Sequence, residues 1–266
     1  MPAADLAGLR TGWREGGGGE GPPALLLHCT LAHSGAWRGV AAHLGRWAAP
    51  DLPGHGTSGD VPPGADLLRL CADVAGALRD RTGVADLVGH SYGAVVALRV
   101  ALDAPERVRT LTLIEPVLFA AARGTPAHAA HEADHAPVAA AVRADDPEAA
   151  ARAFAAIWGD GRPWADLPPA QRAYMAERIA LVPRQAPGIA GDATGLLAPG
   201  ALEGLAAPVL LLEGSDSPPV VGAILSALAA RLPDARRLAV PGAAHMLPVT
   251  HPDAVGRAVA AHVAAG

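Results

Sequence analysis

Apolar positions in this chain follow two distinct rhythms. Pro23–Cys29 (PALLLHC) and Pro208–Gly214 (PVLLLEG) are continuous apolar runs closed by a polar residue or Gly, and Val108–Ile114 reads as another buried strand, ending at Glu115-Pro116. Runs of that length and ending suit strands buried on both faces. Asp86–Gly89 reads the same way, and Leu9–Arg14, Trp47–Ala49 and Arg237–Val240 are shorter candidates. Between them lie stretches of helical period. Asp66–Arg81 places Leu67, Leu70, Val74 and Leu78 on one face. Gly35–Leu44 carries Trp37, for which packing in the core is the preferred reading. Further helices are expected from Ser91 to Pro105, over Pro219–Leu232 and over Pro252–Val263. Strand and helix alternate, which predicts an α/β fold with a mostly parallel, doubly wound sheet. From Val117 to Pro199 the alternation stops and Ala-rich helix takes over. The expected organisation is therefore a sheet domain over 1–116 and 200–266, with an α-helical lid inserted over 117–199. The lid's bulky residues are Trp158, Trp164, Tyr174 and Met175.

Composition narrows the class. At 266 residues and 51% hydrophobic, the chain can fill one large core with few aromatics. Net charge is only −5 and no Lys/Arg cluster stands out, so nucleic acid and anionic membrane surfaces are not expected partners. The start of the chain shows no basic, apolar leader pattern, and no run suits a bilayer span. Two cysteines, Cys29 and Cys71, imply no disulfide framework. A cytoplasmic setting, a small-molecule substrate and no cofactor are the expectations; oligomeric state is not legible. The Gly-rich stretch Gly16–Gly21 lacks the Lys-Ser/Thr and the helix of a phosphate loop, so it reads as a hairpin turn.

The chemistry concentrates where strand 86–89 meets its helix: Gly89-His90-Ser91-Tyr92-Gly93. A Ser between two glycines at a sharp strand-to-helix turn is the G-x-S-x-G elbow. The glycines are needed because strand and helix nearly touch there. Ser91 then stands at a helix N-terminus, where the N–H of Tyr92 can face a developing oxyanion. Such a Ser needs a base, and the base needs an orienting acid. His245, in the small-residue loop after the last strand, is placed to be the base.

At this point the chain resembles the α/β-hydrolase superfamily, over nearly its whole length outside the lid. The resemblance rests on LLLHCTLAHSGAW (25–37), DLPGHGTSG (51–59), GHSYG (89–93), PVLLLEGSDS (208–217) and PGAAH (241–245). It implies a second oxyanion N–H at Thr30, with Leu31 as the alternative, and it differs from the usual pattern in having Cys29 where Gly is common. A packed thiol is the preferred reading of Cys29. His33, Trp158 and Trp164 are expected to join Leu31 around the substrate. The family's usual acid position, counted from Gly214, falls on Ser217, with Asp216 one residue short. Some relatives carry the acid one strand earlier, which is Glu115 here. Both Glu115 and Asp216 are kept as candidates, with Glu115 preferred because a carboxylate ending an apolar strand needs a partner.

The resemblance implies a serine hydrolase cleaving a small carboxylic ester or lactone through an acyl-enzyme on Ser91. A Ser, rather than Asp, at the elbow argues against dehalogenase and epoxide hydrolase chemistry. The alternatives are carbon–carbon bond hydrolysis or a non-hydrolytic lyase or cofactor-free oxygenase on the same fold. His131-Glu132-Ala133-Asp134-His135 also fits H-E-x-x-H, with His128 on the same face. No third ligand follows, so an exposed polar helix face is the expectation and no metal site is assigned.

Overall fold

The computed structural model describes residues 1–19, 23–83 and 86–266. The end of the expected Gly16–Gly21 turn lies outside them. Eight strands form one sheet: β1 (Ala3–Leu6), β2 (Leu9–Gly16), β3 (Ala24–Leu27), β4 (Trp47–Pro50), β5 (Asp86–His90), β6 (Thr110–Ile114), β7 (Val209–Gly214) and β8 (Ala235–Val240). Their order is β1-β2-β4-β3-β5-β6-β7-β8. β1 pairs β2, and β2 pairs β4, antiparallel; every pairing from β4 onward is parallel. The sequence reading missed β1, a half-exposed edge strand with no continuous apolar run to mark it.

Period-two alternation divides each central strand between two cores. Leu25, Leu27, Leu87, Leu111 and Leu211 face one side with α2 (Leu67–Thr82), α3 (Tyr92–Asp103) and α8 (Pro219–Ala229). Leu26, Val88, Ile114 and Leu212 face the other with α1 (Arg38–Ala41) and α9 (Pro252–Ala265). Trp37 packs in this second core at 1% exposure. The expected Gly35–Leu44 helix is a 3-10 turn over Ser34–Trp37 followed by the single turn of α1. α2 is bounded as its residues require. Asp66 caps the start by accepting from Arg69 N–H at 3.0 Å, and Gly83 ends it at φ 71°.

Between β6 and β7 come α4 (Pro126–Arg143), α5 (Pro147–Trp158), α6 (Pro169–Arg178) and α7 (Leu181–Ile189), with no strand among them. They share a small core of their own, with Ala150, Ala151, Met175, Ile179 and Val182 packed around Leu31 from the sheet end. The flanks behave differently. Phe119 and Ala122 before the helices, and Leu196, Leu202 and Leu205 after them, pack into the main core. No helix of the described residues is long and apolar enough to cross a membrane.

Candidate active site

Ser91 follows β5 and opens α3 at φ 57°, ψ −119°, a conformation L-residues rarely adopt. The backbone leaves no choice about its neighbours. A Cβ on Gly89 would lie 2.3 Å from the carbonyl oxygen of Gly93, and one on Gly93 would lie 2.2 Å from that of Leu27. Ser91 N–H donates to Ile114 O at 2.8 Å, tying the turn to β6. Leu31 (φ 58°) and Glu115 (φ 46°), at the ends of β3 and β6, hold the same left-handed backbone. Three strained residues thus stand side by side at the carboxyl ends of adjacent strands, the pattern that marks functional sites.

Glu115 is fully buried and accepts from His245 Nδ1 at 2.7 Å. Its other oxygen accepts from Gly214 N–H at 2.7 Å and from the Ser217 hydroxyl. Burial alone would push this carboxyl up; the bonds from His245, Ser217 and Gly214 outweigh it and hold the group below the usual range. With a carboxylate on Nδ1–H, the neutral imidazole of His245 keeps its lone pair on Nε2. His90 Nε2–H donates to the backbone O of His245 at 2.8 Å, and burial pushes His90 down to about 3, so it does this as a neutral ring. The Trp158 ring packs edge-on against the His245 ring, centroids 4.6 Å apart.

Asp216 is not the partner of His245, which corrects one of the two candidates. It is exposed, accepts from Ser215 Oγ at 2.8 Å, and its N–H donates to Ala243 O. One residue short in the loop, it faces outward. The position where the family usually carries its acid is Ser217, and that hydroxyl serves the Glu115 carboxylate instead.

The loop after β3 is held by neutral imidazoles. His28 Nε2 accepts from Leu52 N–H at 2.9 Å and its Nδ1–H donates to Cys29 O. His55 Nε2 accepts from Leu31 N–H at 3.2 Å and its Nδ1–H donates to Pro53 O. Burial lowers His28 to about 4 and His55 to about 3. Leu31 N–H is engaged by His55, and Thr30 lines the Ser91 cavity. Cys29 is a packed thiol, 3% exposed and pushed up to about 12 by burial. Its Cβ does not sit at the loop's left-handed position, which is Leu31.

Two cavities meet at Thr30. The first, about 500 Å³, holds Ser91, Val117 and Phe119 on its floor and α4 and α7 above. The second, about 560 Å³, is lined by Leu31, His33, Tyr174 and Met246. Trp158 and Phe154 border both. Leu31 and His33 therefore face the second cavity rather than that of Ser91. Trp164 lines neither, a correction: it packs on the helices' own core beside Leu167 and Met175. The H-E-x-x-H face also differs from expectation. His128, His131 and His135 line the Ser91 cavity, with His131 only 9% exposed and stacked on Phe119 at 4.0 Å. Among the described residues no three His, Cys, Asp or Glu side chains converge to hold a metal ion.

Gln185 escaped the sequence reading, and nothing local marked it; Ser217, His90 and His55 lie in the motifs quoted above, but the bonds they make were not foreseen.

A sequence profile described as the alpha/beta hydrolase family matches residues 24–258. The chain belongs to this family. Among curated proteins, the pimeloyl-[acyl-carrier protein] methyl ester esterase of Nitrosomonas europaea is 42% identical over 100 residues, 36% of this chain and 38% of that protein. Lipase LipV of Mycobacterium tuberculosis is 35% identical over 104 residues, 38% of this chain and 40% of that protein. The matches thus span less than half the length of either relative. Among solved structures, a haloalkane dehalogenase loop variant from Bradyrhizobium elkanii superposes with TM-score 0.78 at 25% identity, covering 99% of this chain and 96% of that one. A thermophilic esterase from Thermogutta terrifontis gives TM-score 0.71 at 23% identity, covering 99% and 98%. These neighbours share the fold of this alpha/beta hydrolase.

Proposed function

We propose that this protein is a serine hydrolase acting on a small carboxylic ester or lactone. The observation that carries the reading is the 2.7 Å bond from His245 Nδ1 to buried Glu115, set behind the left-handed Ser91. In this reading His245 Nε2 takes the Ser91 proton as Oγ attacks the substrate carbonyl. Glu115 holds the tautomer and stabilises the imidazolium. The N–H groups of Thr30 and Tyr92 receive the oxyanion. His245 then protonates the leaving alcohol, and water, deprotonated by the same ring, releases the acid. The helices α4–α7 form a lid that opens to admit substrate. Among relatives, the esterase and the lipase support ester cleavage. The dehalogenase neighbour does not suggest its own reaction here. Displacement of a halide by Ser91 would leave an ether on the enzyme, which water does not cleave as it does an ester.

A second reading keeps the His245–Glu115 pair as a proton-abstracting unit without covalent catalysis, as in a lyase or cofactor-free oxygenase. It is favoured only by the completeness of that pair at the end of β6. Labelling with a fluorophosphonate, lost in Ser91→Ala, together with turnover of p-nitrophenyl esters of graded length, supports the hydrolase. Ester turnover that persists in a folded Ser91→Ala variant would remove it.

A further inference from the structure

The Ser91 cavity is lined mostly by apolar side chains, with one polar patch that the proposed chemistry does not use. His131 and His135 lie one helical turn apart on α4, ring centroids 5.5 Å apart, and both line the cavity. Neither ring makes a hydrogen bond to protein among the described residues, although His131 is only 9% exposed. Across the cavity, Gln185 on α7 is 3% exposed. Its Oε1 accepts from Thr30 Oγ1 at 2.8 Å, and its Nε2 has no partner among the described residues. A buried donor without a partner is costly, so the retention of Gln185 Nε2 inside an apolar wall, facing two unbonded imidazoles, points to a ligand that satisfies it. We propose that this cavity takes an acyl group carrying a neutral hydrogen-bonding substituent, a hydroxyl or an oxo group, read by His131, His135 and Gln185.

Charge decides against the two simpler ligands. Burial lowers His131 to about 4 and lowers His135 as well, so near neutral pH both rings are uncharged, each with one donor and one acceptor. Beside His131, His135 and Gln185 themselves a carboxylate-ended chain would meet no cation. Arg143 reaches the cavity from its exposed edge, but so does Glu132, of opposite sign. A plain alkyl chain would bury the imidazoles and the amide dry. A hydroxyl or carbonyl oxygen pairs with them without a charge to desolvate. The His131 ring, stacked on Phe119 and 5.6 Å from the Trp158 ring that abuts His245, is two ring contacts from the proposed base. The proposal places the substituent on the acyl chain, and esters varied in the acyl group alone test it.

This inference rests on Ser91 being the nucleophile of the cavity, and the test separates the two. The p-nitrophenyl esters of hexanoate, 3-hydroxyhexanoate, 5-oxohexanoate and the adipate half-acid share a leaving group and near-equal length. The expected result is a kcat/KM for one of the neutral polar esters about tenfold above hexanoate, with the adipate half-ester poorest. His131→Phe, which retains the stack on Phe119, and His135→Leu should each bring the ratio toward one. Fluorophosphonate labelling of each variant reports whether its site is intact, and the parent's own ratio decides if a variant misfolds. Turnover of all four esters with hexanoate equal or better, or a preference that survives both substitutions, overturns the inference and leaves the hydrolase standing. No turnover of any ester and no labelling overturns the hydrolase itself.

Discussion

The floor of the site and the helices over it are built on different principles. On the floor, at the ends of β3, β5 and β6, nearly every position is dictated by backbone. Gly89 and Gly93 have no room for a Cβ, Leu31, Ser91 and Glu115 hold left-handed conformations, and His28, His55 and His90 spend ring nitrogens on main-chain groups. Above them α4–α7 meet the floor through side chains, with prolines at 137 and 187 inside two of the helices. A floor that depends on hydrogen-bond geometry tolerates little substitution. A cover that depends on apolar area tolerates much, so it is where specificity can vary.

The sharpest break in that comparison is Ser91→Ala. It removes one oxygen from the floor and should lower kcat by on the order of a thousandfold or more, while the urea midpoint stays near the parent's. Near-parental turnover by the folded variant contradicts the floor's assigned role.

Next comes the acid. Glu115→Gln retains shape but removes the charge facing His245, and its NH2, a donor, cannot accept the bonds that one carboxylate oxygen now takes from His245 or the other from Gly214 and Ser217. A loss of about a hundredfold in kcat/KM is expected. Asp216→Asn, on an exposed turn, should stay within about twofold. Equal effects from the two substitutions would show that the Glu115 contact does not serve turnover.

This pair also shows what was legible. The elbow, the His245 loop and the order of the sheet could be read because each imposes a local requirement on residue type. The choice between Glu115 and Asp216 could not, because it depends on where two loops 99 residues apart converge on one carboxylate. Trp164 and the His131 face were misjudged for a related reason. Helical period says which residues share a face, but the cover has polar and apolar residues on both sides, and only packing shows which side looks inward. Seven of the eight strands were expected from the sequence, the central ones most plainly; the short, half-exposed edge strand β1 was not.

A third test uses pH, with the floor supplying three of the histidines that respond and His131 of the cover adding to the same trend. His28, His55 and His90 sit at about 4, 3 and 3 in the folded protein, against 6.5 for the free side chain. Below about pH 6.5 the unfolded chain takes up protons that the folded chain refuses, so stability must fall as pH drops toward 4. Each imidazole contributes a slope of up to about 1.4 kcal/mol per pH unit in that window, and none above it. Urea unfolding at pH 7.5, 6 and 5 measures this. A ΔG that stays level across the series would mean these rings are not held neutral.

The smallest expected effect sits where floor and cover are joined. Tyr174 on α6 donates its hydroxyl to Ala32 O at 2.9 Å and accepts from Gly56 N–H at 2.9 Å. One phenol oxygen thus links the cover to the loop after β3 and to the loop after β4. Tyr174→Phe retains the ring, with the Arg178 guanidinium 3.9 Å above it, and removes only the link. Partly exposed bonds of this kind are worth about 1 kcal/mol together with their solvation, so the urea midpoint should move little. Turnover should separate the two regions. If the helices must lift for substrate to enter, weakening the link speeds reaction of a bulky ester by a few-fold, while a small ester and the fluorophosphonate, which need less opening, react as before. If Tyr174 instead serves mainly to hold the Thr30 loop in place, the variant slows all three alike, because a displaced oxyanion amide harms every substrate equally. The first outcome makes the cover a moving part hinged on a firm floor; the second makes α6 part of the floor.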